Sequence, residues 1–135
     1  MMVNAVMLVN DGDDVTLFST GCILGDVLKS AFIIEEKTTM SVRVVNMPTL
    51  KPIDEEIIID SAIHTNHVFT IEDHSIIGGL GSAVSEVLSE KYPTKVSRIG
   101  LDDVFPESAP PADLYEKYGL SSNKIADRVL SELDK

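Results

Sequence analysis

His67-Val68-Phe69-Thr70-Ile71-Glu72-Asp73-His74-Ser75-Ile76-Ile77-Gly78-Gly79-Leu80-Gly81-Ser82-Ala83-Val84-Ser85-Glu86-Val87-Leu88 is the stretch that decides the fold. Its first part, His67 to Ile71, is rich in β-branched and aromatic residues and reads as a strand. The glycine-rich loop Gly78-Gly79-Leu80-Gly81 then leads into a helix through about Glu90, with Ala83, Val84, Val87 and Leu88 as its inward stripe. Another strand, Val96 to Leu101, follows. Strands joined by a helix of this length imply a right-handed parallel crossover, because a tight turn cannot join parallel neighbours.

The same alternation repeats upstream. Ser41 to Met47 is a strand around Val42, Val44 and Val45. Pro48 and Pro52 bracket a loop, and Asp54-Glu55-Glu56 opens a helix carrying Ile57, Ile58, Ala62 and Ile63. Carboxylates in a first turn stabilise the exposed amides and the positive end of the helix dipole. Before that, Leu24 to about Glu36 is a helix with Leu24, Val27, Leu28 and Ala31 on one face. Ala5 to Val9 and Val15 to Thr20 are short strands. Asn10-Asp11-Gly12-Asp13-Asp14 between them is turn-rich and predicts an antiparallel hairpin. Downstream, Asp102 to Pro111 is a proline-rich loop, a short helix ends at Gly119, and a last helix runs from about Ser122 to Leu133 with Ile125, Val129 and Leu133 inward. The prediction is an α/β fold with a mixed five-stranded, mostly parallel sheet and helices on both faces.

Composition narrows the partners. The 135 residues fit a single domain, 1–135, and an apolar share of 44% is enough for a core. Net charge is −11 with no basic stripe, which excludes a nucleic-acid surface and opposes anionic membranes. No apolar run reaches membrane-spanning length, and no leader with a basic flank precedes the first strand, so the default location is cytoplasmic. The one cysteine, Cys22, precludes an internal disulfide framework and reads as a small packing residue.

No complete catalytic site emerges. Asp11, Asp13 and Asp14 fail the EF-hand template, since Val15 holds its fifth position; they read as a hairpin turn. Gly79-Leu80-Gly81 has Val84 where a dinucleotide fingerprint needs its third glycine, so those glycines read as serving a tight turn and close packing. The amides of that helix start are nevertheless suited to an anion. His64 and His67 straddle a predicted turn at Thr65-Asn66 and need not converge. His74 follows Glu72 and Asp73 at the carboxyl end of a strand, the edge where open α/β sheets place functional groups. Two neighbouring carboxylates favour its imidazolium form, and with no nucleophile identifiable beside it the role expected is interface or loop ordering. No catalytic, cofactor-binding or metal-ligating residue is assigned; Glu72, Asp73, His74, Gly78, Gly79 and Gly81 are the candidate interface.

Four stretches in order resemble the C-terminal domain of the transketolase family of thiamine-diphosphate enzymes. They are Asp14-Val15-Thr16-Leu17-Phe18-Ser19-Thr20-Gly21, then Ser41-Val42-Arg43-Val44-Val45-Asn46-Met47-Pro48-Thr49-Leu50-Lys51-Pro52-Ile53-Asp54-Glu55-Glu56, then Val68 to Val84, then Arg98-Ile99-Gly100-Leu101 through Tyr118-Gly119-Leu120. The resemblance implies a three-layer α/β/α domain with one antiparallel edge strand. It implies a cytoplasmic transferase of the pentose phosphate pathway, in which thiamine diphosphate and magnesium sit between a diphosphate-binding and a pyrimidine-binding domain, usually across a homo-oligomer. The C-terminal domain mainly supports assembly, so no cofactor residue carries over to this chain. Gly12-Asp13-Asp14 lacks the second glycine of the family's magnesium signature. Phe105-Pro106-Glu107-Ser108-Ala109 and Ile34 to Met40 depart from the pattern by losing glycines, which leaves those two turns without their usual backbone freedom. The same domain type also implies two other enzymes, a deoxyxylulose-phosphate synthase or a 2-oxo-acid dehydrogenase beta chain. From another class comes a stand-alone anion- or nucleotide-binding regulatory module using Gly78 to Ser82.

Overall fold

The computed structural model describes residues 6–20, 23–47, 53–75, 79–101 and 115–134, except the side chains of His74, Ser75 and Leu101. The elements run β1 (Met7–Asn10), β2 (Val15–Ser19), α1 (Leu24–Lys37), β3 (Val42–Asn46), α2 (Glu55–Thr65), β4 (Val68–Ser75), α3 (Leu80–Lys91), β5 (Val96–Leu101) and α4 (Ser122–Leu133). The sheet order is β1-β3-β2-β4-β5. All neighbours are parallel except β1 and β3. The predicted mixed five-stranded sheet is therefore present.

Strand alternation divides the core into two layers. Val15 and Leu17 of β2, Val42 and Val44 of β3, and Phe69 and Ile71 of β4 pack with Val27, Ala31 and Ile34 of α1 and with Ile125, Ala126 and Val129 of α4. The intervening Phe18, Val45 and Val68 pack on the other side with Ile58 and Ala62 of α2 and Leu80, Val84, Val87 and Leu88 of α3. Two α-helices thus cover each face, giving the three layers.

The local differences from prediction have physical causes. Asn10 to Asp14 does not close a hairpin, because β1 pairs with β3 and not with β2. The turn instead crosses the end of β3. A Cβ on Gly12 would lie 2.4, 2.6 and 2.7 Å from Val42 C, N and O, so only glycine passes there. Asn10 Nδ2 donates to Val42 O at 2.7 Å, and Ser41 N to Asp14 Oδ2 at 2.8 Å, which fixes the crossing. Strand β4 continues beyond Ile71 through Glu72, Asp73 and His74, which were expected to follow the strand. Ile63 points to solvent at 53% exposure, since the stripe of α2 is Ile58, Ser61, Ala62 and Thr65. Residues 115–119 form a turn; the rest of the predicted short helix and the loop before it lie outside the described residues. Helix α1 ends without glycine: the Thr38 hydroxyl and amide both donate to Ile34 O, at 2.7 and 3.0 Å. The Asp54 side chain accepts from Ile57 N, so the predicted acidic start of α2 acts as its cap.

Candidate functional site

In a sheet of this order, β2 and β4 lie side by side while their connections leave to opposite sides. The crevice outside their carboxyl ends is where open α/β folds place ligands or partners. Ser19 ends β2 and lies opposite Asn46 of β3 and Ile71 of β4. Beyond Ile71, β4 supplies Glu72, Asp73 and His74 to this edge.

Alternation sends the two carboxylates to opposite faces. Glu72 turns toward the α2–α3 layer and is 3% exposed. Its Oε1 accepts from Leu80 N at 2.9 Å and its Oε2 from Gly81 N at 3.0 Å. The first turn of α3 has no acidic residue and Gly79 provides no side-chain cap, so this carboxylate is the anion of the helix start. The amides that the sequence offered to an external anion are engaged by the protein itself. Asp73, 4% exposed, faces the other layer and accepts from the Tyr115 hydroxyl at 2.9 Å. That bond ties β4 to the turn before α4.

Gly79 precedes α3 with φ −100° and ψ −147°. Gly81 is buried inside the first turn, and a Cβ there would lie 2.6 Å from Arg98 Cδ and 2.9 Å from Thr70 Oγ1. The glycine thus lets α3 settle onto β4 and β5, the packing role read from the sequence. Gly78, Cys22 and the His74 side chain lie outside the described residues.

The other candidates do not join this edge. Asp13 Oδ1 meets His64 Nε2 at 2.7 Å, linking the β1–β2 turn to the end of α2. Asn66 closes α2 in the left-handed region at φ 63°, and His67 is exposed beyond it, so the two histidines serve different surroundings. Among the described residues, no three His, Cys, Asp or Glu side chains are placed to hold a metal ion. With the α3 amides also taken, the described residues do not fit magnesium or the diphosphate of thiamine.

Sequence reasoning missed three features. Arg43, 7% exposed, pairs with Asp60 at 3.1 Å and Asp11 at 3.5 Å; its signal was a lone cation within a valine-rich strand. Tyr115 fell in the predicted short helix that ends at Gly119, with no role read for it. Ser19 Oγ and Asn46 Oδ1 are buried at the carboxyl edge without hydrogen-bond partners among the described residues, a consequence of register that spacing alone does not reveal.

A family model described as "Transketolase, C-terminal domain" matches residues 4–125. The chain belongs to this family. It is 44% identical over 126 residues to a putative transketolase C-terminal section of Methanocaldococcus jannaschii, covering 93% of this chain and 39% of that protein. Over 120 residues it is 40% identical to a 6-deoxy-6-sulfo-D-fructose transketolase subunit of a Clostridium species, covering 87% and 36%. It is also 39% identical over 127 residues to a 1-deoxy-D-xylulose-5-phosphate synthase of Desulforudis audaxviator, covering 93% and 20%. The chain therefore spans under two fifths of each of these relatives. A solved structure of a split-gene transketolase, described as an inactive beta4 tetramer, superposes with TM-score 0.85 at 41% identity, covering 97% of this chain and 42% of that one. The fold also recurs in a Campylobacter jejuni transketolase, TM-score 0.60 at 22% identity over 95% of this chain and 18% of that one. The three-layer architecture implied by the four sequence stretches is thus that of the family's C-terminal domain, including the antiparallel edge strand β1.

Proposed function

We propose that residues 1–135 form one domain that supports assembly of a thiamine-diphosphate-dependent transketolase in the cytoplasm, where the complete enzyme transfers two-carbon ketol units between sugar phosphates. One observation carries this reading: two relatives with transketolase names match about nine tenths of the chain at 40% identity or more. The arrangement at the sheet edge supports it, because both Glu72 oxygens accept from α3 amides and Asp73 Oδ2 accepts from Tyr115, which gives both carboxylates structural roles. Thiamine diphosphate supplies the carbanion chemistry. In this proposal it sits with magnesium on the diphosphate-binding and pyrimidine-binding domains of a homo-oligomer, and the pentose phosphate pathway is the setting. The docking face is the edge built by Glu72, Asp73, His74, Gly78, Gly79 and Gly81, with the two buried carboxylates shaping the edge that the partner meets.

Two further observations bear on the alternatives. The 39% identity to a deoxyxylulose-phosphate synthase keeps that enzyme as the second reading. The hydrogen bonds from the Leu80 and Gly81 amides to Glu72 weigh against a stand-alone anion-binding module at that loop. The test is reconstitution with chains bearing the other two domains. Ketol transfer that rises on adding this chain supports the proposal, and equal rates without it refute the supporting role. Substrate profiling of the reconstituted complex then separates ketol transfer from the synthase and 2-oxo-acid dehydrogenase reactions.

A further inference from the structure

We propose that the outer edge of β1 receives an extended strand of a partner polypeptide in which positively charged and apolar side chains alternate. β1 is the last strand on its side of the sheet, and no described residue pairs with its outer edge. Such an edge leaves backbone N–H and C=O groups open to an added strand. Proteins usually guard exposed edges with charge or proline. The opposite edge strand, β5, carries Arg98, whereas β1 reads Met7-Leu8-Val9-Asn10 without charge or proline and is limited only by its four-residue length and the bulge between Leu8 and Asn10. Met7, Leu8 and Val9 are 57%, 41% and 36% exposed, so the described residues cover neither face of this short strand fully.

The chemistry of the partner follows from what flanks the strand. Leu8 lies opposite Val45, whose side chain belongs to the α2–α3 layer, so Leu8 faces α2. Between them is a groove of about 410 Å³ lined by Leu8, Arg43, Asp54, Glu56, Ile57 and Asp60. Three carboxylates face one guanidinium there, and Arg43 is already shared by Asp60 and Asp11. Glu56 has no hydrogen-bond or ion-pair partner among the described residues. A strand laid along β1 with lysine-like residues on this side would cover Leu8 and Ile57 with their aliphatic stems and bring their ammonium groups to the carboxylates. Its alternate residues would meet Met7 on the other face, where apolar side chains fit; the bulge between Leu8 and Asn10 takes Val9 out of the alternation. A second copy of the chain does not meet this requirement. Residues 1–28 contain no Lys, Arg or His, so another β1 would bring no cation to a chain of net charge −11.

This inference stands independently of the transketolase reading. The test titrates the isotope-labelled full chain with an end-blocked five-residue peptide alternating lysine and valine. A glutamate–valine peptide is the control. The expected result is amide shifts and slowed exchange confined to Met7–Asn10 and the first turn of α2. Binding should weaken about fivefold or more in Glu56→Lys and in Leu8→Lys, with circular dichroism confirming that both variants fold. Absence of shifts at β1, equal binding of the glutamate peptide, or undiminished binding by both folded variants overturns the proposal. So does self-association of the free chain that Leu8→Lys abolishes, which would make a second copy the occupant.

Discussion

Replacing Glu72 by glutamine keeps the shape of the side chain and removes its charge. In the native domain both carboxylate oxygens accept amide bonds, from Leu80 at 2.9 Å and Gly81 at 3.0 Å, in a site 3% exposed. Glutamine retains one acceptor and turns an NH₂ group toward the other amide, donor against donor. A hydrogen bond to a charged group contributes about 1.5–3 kcal/mol, and a partly buried charge at a helix terminus up to about 2 kcal/mol. Relief of the buried charge's desolvation offsets part of that loss. The net destabilisation expected is about 2–3 kcal/mol. At about 3–4 °C per kcal/mol for a domain of this size, Tm should fall by roughly 6–12 °C. The effect spreads because α3 carries Leu80, Val84, Val87 and Leu88 into one of the two core layers. Urea unfolding followed by circular dichroism measures the free energy, and hydrogen exchange at the Leu80 and Gly81 amides reports the site. A Glu72→Gln protein with unchanged Tm and unchanged exchange at those amides would show that the carboxylate does not hold the start of α3.

The two close-packed glycines should respond differently to the same methyl group. Gly12→Ala drives a Cβ into the rigid backbone of Val42 and should lose about 2–3 kcal/mol in urea unfolding. Gly81→Ala meets the Arg98 stem, which can move, and the buried Thr70 hydroxyl at 2.9 Å, which cannot without repacking; up to about 1 kcal/mol of regained helix propensity offsets part of that cost, so its loss in urea unfolding should be smaller, about 1 kcal/mol. Tyr115→Phe removes the hydroxyl bound to Asp73 and should cost about 1–3 kcal/mol by the same assay, with faster amide exchange from Tyr115 to Leu120.

Much of the fold was legible because it rests on patterns that local sequence carries. The runs Val42 to Asn46 and Val96 to Leu101 marked strands, Asp54 marked the start of α2, and Ile125 and Val129 marked the buried side of α4. Strand partnership was less legible. The turn residues from Asn10 to Asp14 correctly signalled a reversal, but their preferences do not encode which strand lies beside β1. That choice is fixed by contacts more than 25 residues apart, including Gly12 against Val42 and Asp14 against Ser41. Ile63 shows the same limit on a helix: it was read only as one of the apolar residues that α2 carries, and it is exposed while Ser61 and Thr65 occupy the buried stripe, Thr65 bonding Thr16 of β2 at 2.8 Å.

The candidate edge was found by position, and its roles depended on where β4 ends. With the strand stopped at Ile71, Glu72 and Asp73 form an acidic pair in a loop, free to meet a ligand, His74 or a partner. With β4 extended to Ser75, the period-two rule assigns Glu72 to the face of Thr70 and Asp73 to the face of Ile71. The carboxylates then cannot act as a pair. One fixes the start of α3 and the other holds the turn leading to α4, so the two helical layers are each tied to the same strand end. An acidic doublet at the carboxyl edge of a parallel sheet is thus a poor indicator of chemistry until strand length is known. Here it anchors the helix start and the turn on which the proposed assembly role depends, and loss of either anchor should weaken docking only through the helix or turn it holds.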